Sequence, residues 1–200
     1  MTDGKPSDRR RTRTRQDIID ATHEMIVTGG VEGLSIRAIA EQIDYSPAAL
    51  YRYFGSKDEL IDAVRAQCFE RLNAALMVRL MGAGSIADQV LAAGLAYLEF
   101  ARDYPTDYHL MFHLEPSAST QAENQQQAMQ ALLFMVRTGI ESGAFVTSAD
   151  YDETAIAYHC WSTVHGLAML RTTVMRDEQA VFDRVSEVIL RKVIDSFLAF

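Results

Sequence analysis

The chain lacks most of the features that would place it in a membrane, a secretory route or an enzyme. No apolar run approaches the roughly 20 residues needed to cross a bilayer; the longest in the middle of the chain, Ala131 to Val136, is far too short. Met1 to Arg15 holds no apolar segment of the signal-peptide kind, so a cytoplasmic protein with no membrane partner is expected. Only two cysteines occur. Cys68 and Cys160 lie far apart and outside metal-type spacing, which fits a reducing compartment and two buried thiols. No nucleophile elbow and no phosphate-cradling glycine loop is found, since Gly82-x-Gly84 reads as a break between helices. No segment reads convincingly as a strand, and no repeat of solenoid period is present.

Positive charge is also scarce. Lys and Arg number 19 against 27 Asp and Glu, for a net charge of -8. Taken whole, this argues against nucleic acid; its distribution argues otherwise. Residues 1–57 carry nine basic and eight acidic groups, and the rest of the chain is strongly acidic. Only the N-terminal quarter can approach phosphate without strong repulsion. Five arginines fall between Arg9 and Arg15 with no acid among them. Residues 1–15 are therefore expected to form a basic flexible arm, either ordering on a polyanion or staying a solvated tail.

What the chain has is helix punctuation. Apolar residues make up 48% of it, enough for a substantial core. Asp17 to Thr28 reads as a helix stopped by Gly29-Gly30. Ser35 caps a short one whose stripe is Ile36, Ile39, Ala40 and Ile43. After Asp44-Tyr45, Ser46-Pro47 reads as N-cap and first helical residue, opening a brief helix to Phe54 with Gly55 as its stop. Ser56 and Glu59 form a capping box for a helix to about Leu80. Ser85 caps another to Asp103, Pro105 opens one through His113 closed by Pro116, and Thr120 with Glu123 opens one to about Ser142. Asp150 caps a helix to about Val174, and the last runs from Glu178 to Leu198. About nine helices make an all-α fold, with a reader at 16–56 and a larger body at 57–200.

Two short helices joined by a three-residue turn follow the helix-turn-helix plan, whose second helix enters the major groove. Small residues at its start, Ser46, Pro47, Ala48 and Ala49, let the backbone approach base edges. Tyr51, Arg52 and Tyr53 follow, placed to reach phosphate. The run Leu34-Ser35-Ile36-Arg37-Ala38-Ile39-Ala40-Glu41-Gln42-Ile43, then Ser46 to Phe54, then Ser56-Lys57-Asp58-Glu59-Leu60, resembles the TetR family of bacterial regulators. The first turn position, commonly glycine, is Asp44, which tolerates the left-handed region. The resemblance implies that Ser35 and Arg37 contact phosphate and that Ser46, Pro47, Ala48 and Ala49 face bases. It gives Tyr51, Arg52 and Tyr53 the backbone or groove edge, and Lys57 a phosphate. Tyr51 packing on the first helix, and Lys57 as a plain solvated lysine, are the alternatives. One reader covers half a site, so a homodimer on palindromic double-stranded DNA is expected.

The resemblance further implies dimerisation through the last two helices, with the stripe Val181, Val185, Val188, Ile189, Val193 and Phe197 available for it. It also implies a small, largely apolar effector, whose arrival releases the repressor from its operator. Candidate pocket residues are Phe100, Tyr104, Tyr108, Met111, Phe112, Phe134, Met135, Trp161 and His165, within a wider set that includes Tyr97, His113 and Met129. Residue by residue, plain core packing competes with a pocket lining. Trp161-x-x-x-His165-Gly166 resembles a C-terminal domain type of part of the family, and its ring pair could face pocket or dimer seam. No cofactor is expected. His109 and His113, four apart with Glu115 near, have a spacing that can bind metal; two core histidines is the competing reading, and an enzyme is the minor alternative. A DNA-binding accessory factor without effector is the other.

Overall fold

A computed structural model of the chain describes residues 5–81, 84–112, 120–174 and 179–199. Nine helices occur among them: α1 Pro6–Gly29, α2 Ile36–Gln42, α3 Pro47–Leu50, α4 Lys57–Leu80, α5 Ile86–Asp103, α6 Pro105–Phe112, α7 Thr120–Glu141, α8 Glu153–Thr173 and α9 Gln179–Asp195. The described residues hold no strand, only isolated bridges pairing Phe145 with Leu198 and Ser148 with Tyr151. Gly82, His113, Pro116, Glu178 and the side chains of Thr120 and Glu123 lie outside the described part.

Local chemistry fixes most of these boundaries. Ser35, Ser46, Ser56 and Asp152 each accept a hydrogen bond from the backbone N–H three residues on, at 2.9–3.2 Å, filling an otherwise orphaned donor. At Ser85 the capping box is complete: Ser85 Oγ accepts from Asp88 N and Asp88 accepts from Ser85 N, at 3.2 and 3.0 Å. At Ser56 it is offset, since Glu59 accepts from Gly55 N at 2.7 Å. The turn after α2 is a Schellman motif: Tyr45 N donates to Ala40 O at 2.8 Å and Asp44 N to Glu41 O at 3.4 Å. This motif requires a left-handed residue, and Asp44 adopts φ 57°. The same device ends α7, with Gly143 at φ 75°.

Four boundaries differ from the sequence expectation. α1 begins at Pro6 rather than Asp17, so the arginines of the expected arm ride on its opening turns. Arg is a good helix former, Thr14 is buried, and Arg15 lies 4.8 Å over the Phe54 ring. α3 stops at Leu50, not Phe54; Arg52 and Tyr53 donate three residues back, to Ala49 and Leu50, the tighter geometry of a closing 3₁₀ turn. Gly55 therefore supplies no left-handed stop. α8 is capped by Asp152, not Asp150, because Ser148 and Tyr151 pair with each other first. α9 ends at Asp195, and Phe197 turns inward, fully buried against the Phe145 ring at 4.9 Å.

α1 to α3 close over Ile18, Ile26, Ile39, Leu50 and Phe54. α4 runs on from this small domain into the body, and its buried Leu60, Val64, Phe69 and Leu72 join residues of both in one continuous hydrophobic core. α5 threads the body, and Gly94 admits the Leu190 side chain, which a Cβ there would meet at 3.1 Å.

Candidate nucleic-acid interface and internal cavity

Two features are candidates for function, one at each end of α4. At its N-terminal end lies the reader. Pro47 and Ala48 are exposed, Ala49 is half-buried, and Leu50 beneath them is buried. A flat, small-residue surface is thus presented on a buried anchor, which lets backbone come close to base edges. Ser35 and Ser46 are exposed, and both hydroxyl oxygens already accept the capping N–H. Each hydroxyl hydrogen is left for a phosphate or base. Tyr51 is 55% exposed, so it does not pack on α1; Arg52 is exposed and Tyr53 half-buried against the core. Arg37 is exposed and pairs with Glu41 at 3.0 Å. Lys57 Nζ donates to Val31 O at 3.3 Å, tying the start of α4 to the turn before α2.

At the C-terminal end of α4, the body holds a partly open cavity of about 290 Å³. Leu72, Leu76, Tyr97, Met135, Trp161 and Leu190 are among its walls, drawn from α4, α5, α7, α8 and α9. Phe112, Met135 and Trp161 are the expected pocket residues that line it. Phe100, Tyr108 and Met111 are buried in the core beside it, while Tyr104 and Phe134 are 51% and 71% exposed and lie outside it. His165 stands behind the wall. Its Nδ1 is 3.0 Å from the Tyr97 hydroxyl and 2.9 Å from that of Tyr108. Its ring stacks on Trp161 at 5.5 Å and meets Phe112 edge-on at 4.7 Å. Burial raises the Tyr97 hydroxyl well above its ordinary pKa and that of Tyr108 to about 12. Burial likewise lifts the Cys160 thiol in the cavity wall to about 12, so all three are neutral hydrogen-bonding groups.

A cluster that sequence reasoning missed joins the two ends. His23 of α1 lies 2.6 Å from one Asp107 carboxylate oxygen, and Arg71 of α4 donates to the other at 3.0 Å. Asp107 is 2% exposed. Burial alone would raise its pKa; the bonds and charges of His23 and Arg71 outweigh that and hold it below the usual carboxylate range. His23, Cys68 and Asp107 bring ligand-type atoms within 4.8 Å of one another, a spacing a metal ion could use, but Arg71 already supplies the cation there. Nothing in the spacing of residues 23, 71 and 107 could announce this contact, because three different helices supply it. Of the two histidines whose spacing could bind a metal, His109 is exposed on α6 and His113 lies outside the described residues.

A short reader on a three-helix domain, joined by one long helix to a helical body with an internal cavity, defines a two-part helix-turn-helix protein. Residues 18–64 match the family described as bacterial regulatory proteins, tetR family, and residues 90–190 match the tetracyclin repressor-like C-terminal domain. The chain belongs to the TetR family, a family of transcription regulators rather than of enzymes. It is similar to the HTH-type transcriptional repressor KstR of Rhodococcus jostii, 42% identical over 59 residues. That stretch is 30% of this chain and only 28% of the KstR length. It is also 26% identical over 195 residues to the nucleoid occlusion factor SlmA of Pasteurella multocida, covering 90% of this chain and 94% of that protein. A solved structure from Rhodococcus sp. RHA1, of a protein of unknown function, superposes with a TM-score of 0.79 at 25% identity, over 92% of this chain and 95% of that one.

Proposed function

We propose that the protein is a ligand-responsive transcriptional repressor. Two copies bind a palindromic operator, and a small, largely apolar molecule in the cavity releases them. The observation that carries this reading is α4: one helix starts under the reader at Lys57 and ends in the cavity wall at Leu72, Leu76 and Leu80. Anything that moves its far end on ligand entry moves the reader. Two readers must sit about 34–36 Å apart to enter successive major grooves, so a small swing of α4 takes them out of register. DNA then favours one form and ligand the other, which is a population shift. Ser35, Arg37 and Lys57 flank the reader as phosphate contacts, Ser46 to Ala49 face bases, and Tyr51, Arg52 and Tyr53 border the groove.

Dimerisation through α8 and α9 is supported by their outer faces. Val181, Val185 and Val188, spaced four and three apart, are 51%, 41% and 53% exposed, and Leu170 and Val174 of α8 are exposed as well. Val193 and Phe197, expected on the same stripe, are instead buried in the protomer's own core. About 100° per residue carries position 193 roughly a third of a turn away from position 181.

The test uses duplexes from the gene's own upstream region. Arg52→Ala weakens binding and lowers the slope of log affinity against log salt by about 1, the loss of one phosphate contact. An unchanged slope removes Arg52 from the interface, and no binding to any such duplex overturns the function. An accessory factor without effector, the reading that likeness to SlmA favours, would keep its DNA when an apolar compound raises its Tm.

A further inference from the structure

The cavity also has a polarity, which narrows what enters it. None of its described lining residues is Lys, Arg, Asp, Glu or His. An ionised ligand would lose its water there and gain no countercharge, at a cost far above what apolar contact returns. The described lining residues that carry a polar group are Asn73, Tyr97, Cys160 and Trp161. Of these, Tyr97 alone is joined to a buried polar cluster.

That cluster has capacity to spare on the cavity side. His165 Nδ1 carries one lone pair or one hydrogen, so it makes one full hydrogen bond. Two hydroxyls stand at that single atom, those of Tyr97 and Tyr108. A hydroxyl offers one hydrogen and two lone pairs, so Tyr97 retains hydrogen-bonding valence beyond its partners inside the wall. Tyr108 is 1% exposed and lies behind; Tyr97 is the one that borders the cavity. Tyr97 is also held in place, its ring edge-on to Tyr108 at 5.8 Å. Aromatic rings of Phe112 and Trp161 flank the same corner. At about 290 Å³ the space lies at the lower edge of the roughly 300–1,000 Å³ common for small-molecule sites.

We infer that the cavity selects an uncharged compact molecule with an apolar body and one hydroxyl or carbonyl oxygen, anchored by the Tyr97 hydroxyl. This rests on the reading of the cavity as the effector site. Two matched probes test it calorimetrically on the full-length protein: 4-propylphenol, which carries the oxygen, and propylbenzene, which does not. Both bind the wild-type protein. Tyr97→Phe keeps the ring and removes the anchor, so 4-propylphenol loses about tenfold in affinity while propylbenzene changes by less than about twofold, the gap a net hydrogen bond supports. If both probes bind and Tyr97→Phe weakens them equally or not at all, the anchor is overturned and the effector cavity stands. If neither binds the wild-type protein, both readings fall. Should Tyr97→Phe fail to fold, Tyr97→Met serves: the altered packing acts on both probes, and the phenol loses about tenfold more affinity than propylbenzene. Equal losses for the two probes overturn the anchor.

Discussion

Replacing Asp107 with Asn tests whether the reader is held to the body by a real ionic tie. The exchange keeps the shape and removes the charge. Asp107 is almost fully buried, accepts from Arg71 of α4 and lies 2.6 Å from His23 of α1. Each charge-assisted bond contributes about 1.5–3 kcal/mol and a neutral one about 0.5–1.5, so two demotions cost about 2–3 kcal/mol. Arg71 is 40% exposed, so water takes over its charge and the loss stays below the 3–5 kcal/mol typical of an orphaned buried ion. For a chain of this size each kcal/mol is about 2–4 °C, which places the variant about 4–12 °C below the wild-type Tm, read by circular dichroism. The pH dependence has a fixed sign. A carboxylate whose folded pKa is depressed stabilises the fold above its unfolded pKa, near 3.9, and loses that stabilisation as pH falls through the lower folded value. The gap between the two proteins is therefore full at neutral pH and closes on strong acidification. Glu41→Gln, which breaks the exposed Arg37 pair, shifts Tm far less. Equal melting of wild type and Asp107→Asn at neutral pH, or a gap that persists into acid, refutes the tie. The result bears on signalling too, because neighbouring residues of α6 face both ways: Tyr108 meets the cavity cluster and Asp107 meets α1.

Two further outcomes follow from packing. Gly139→Ala puts a Cβ 2.1 Å from the buried Phe145 ring, which is itself pinned by Phe197. A rigid ring cannot yield as a flexible chain end does, so thermal melts should show a loss of about 1–3 kcal/mol; an unchanged Tm shows that the corner relaxes freely. Val185→Asp puts a charge in the middle of the outer α9 stripe, a residue 41% exposed in the single chain. Protomers should separate in sedimentation at unchanged helicity, while an intact dimer would place the interface elsewhere.

Much of the reader was legible from residues 34 to 60. Its caps, its turn and its buried stripe are local, set by bonds between residues three to five apart, and local chemistry is written in local sequence. Asp44 shows how far this extends: the helix-turn-helix motif calls for a left-handed residue there, and Asp tolerates that conformation. The extent of α1 was less legible, because arginines read equally as solvated tail or helix until Thr14 and Arg15 find partners in the fold. The aromatic residues of the body were visible as a group, and their separate places were not. Phe112 and Trp161 border the cavity while Phe134 points to solvent, although all three are aromatic side chains on helices of the body.

The linear order of residues determined the all-helical class, the reader and the family, because helix periods, caps and turns act over a few positions. Tertiary packing alone decided where the cavity opens, which side of α9 is free, and that His23, Arg71 and Asp107 meet. Those facts depend on how helices distant along the chain are rotated against each other, and that rotation is set by the whole core at once.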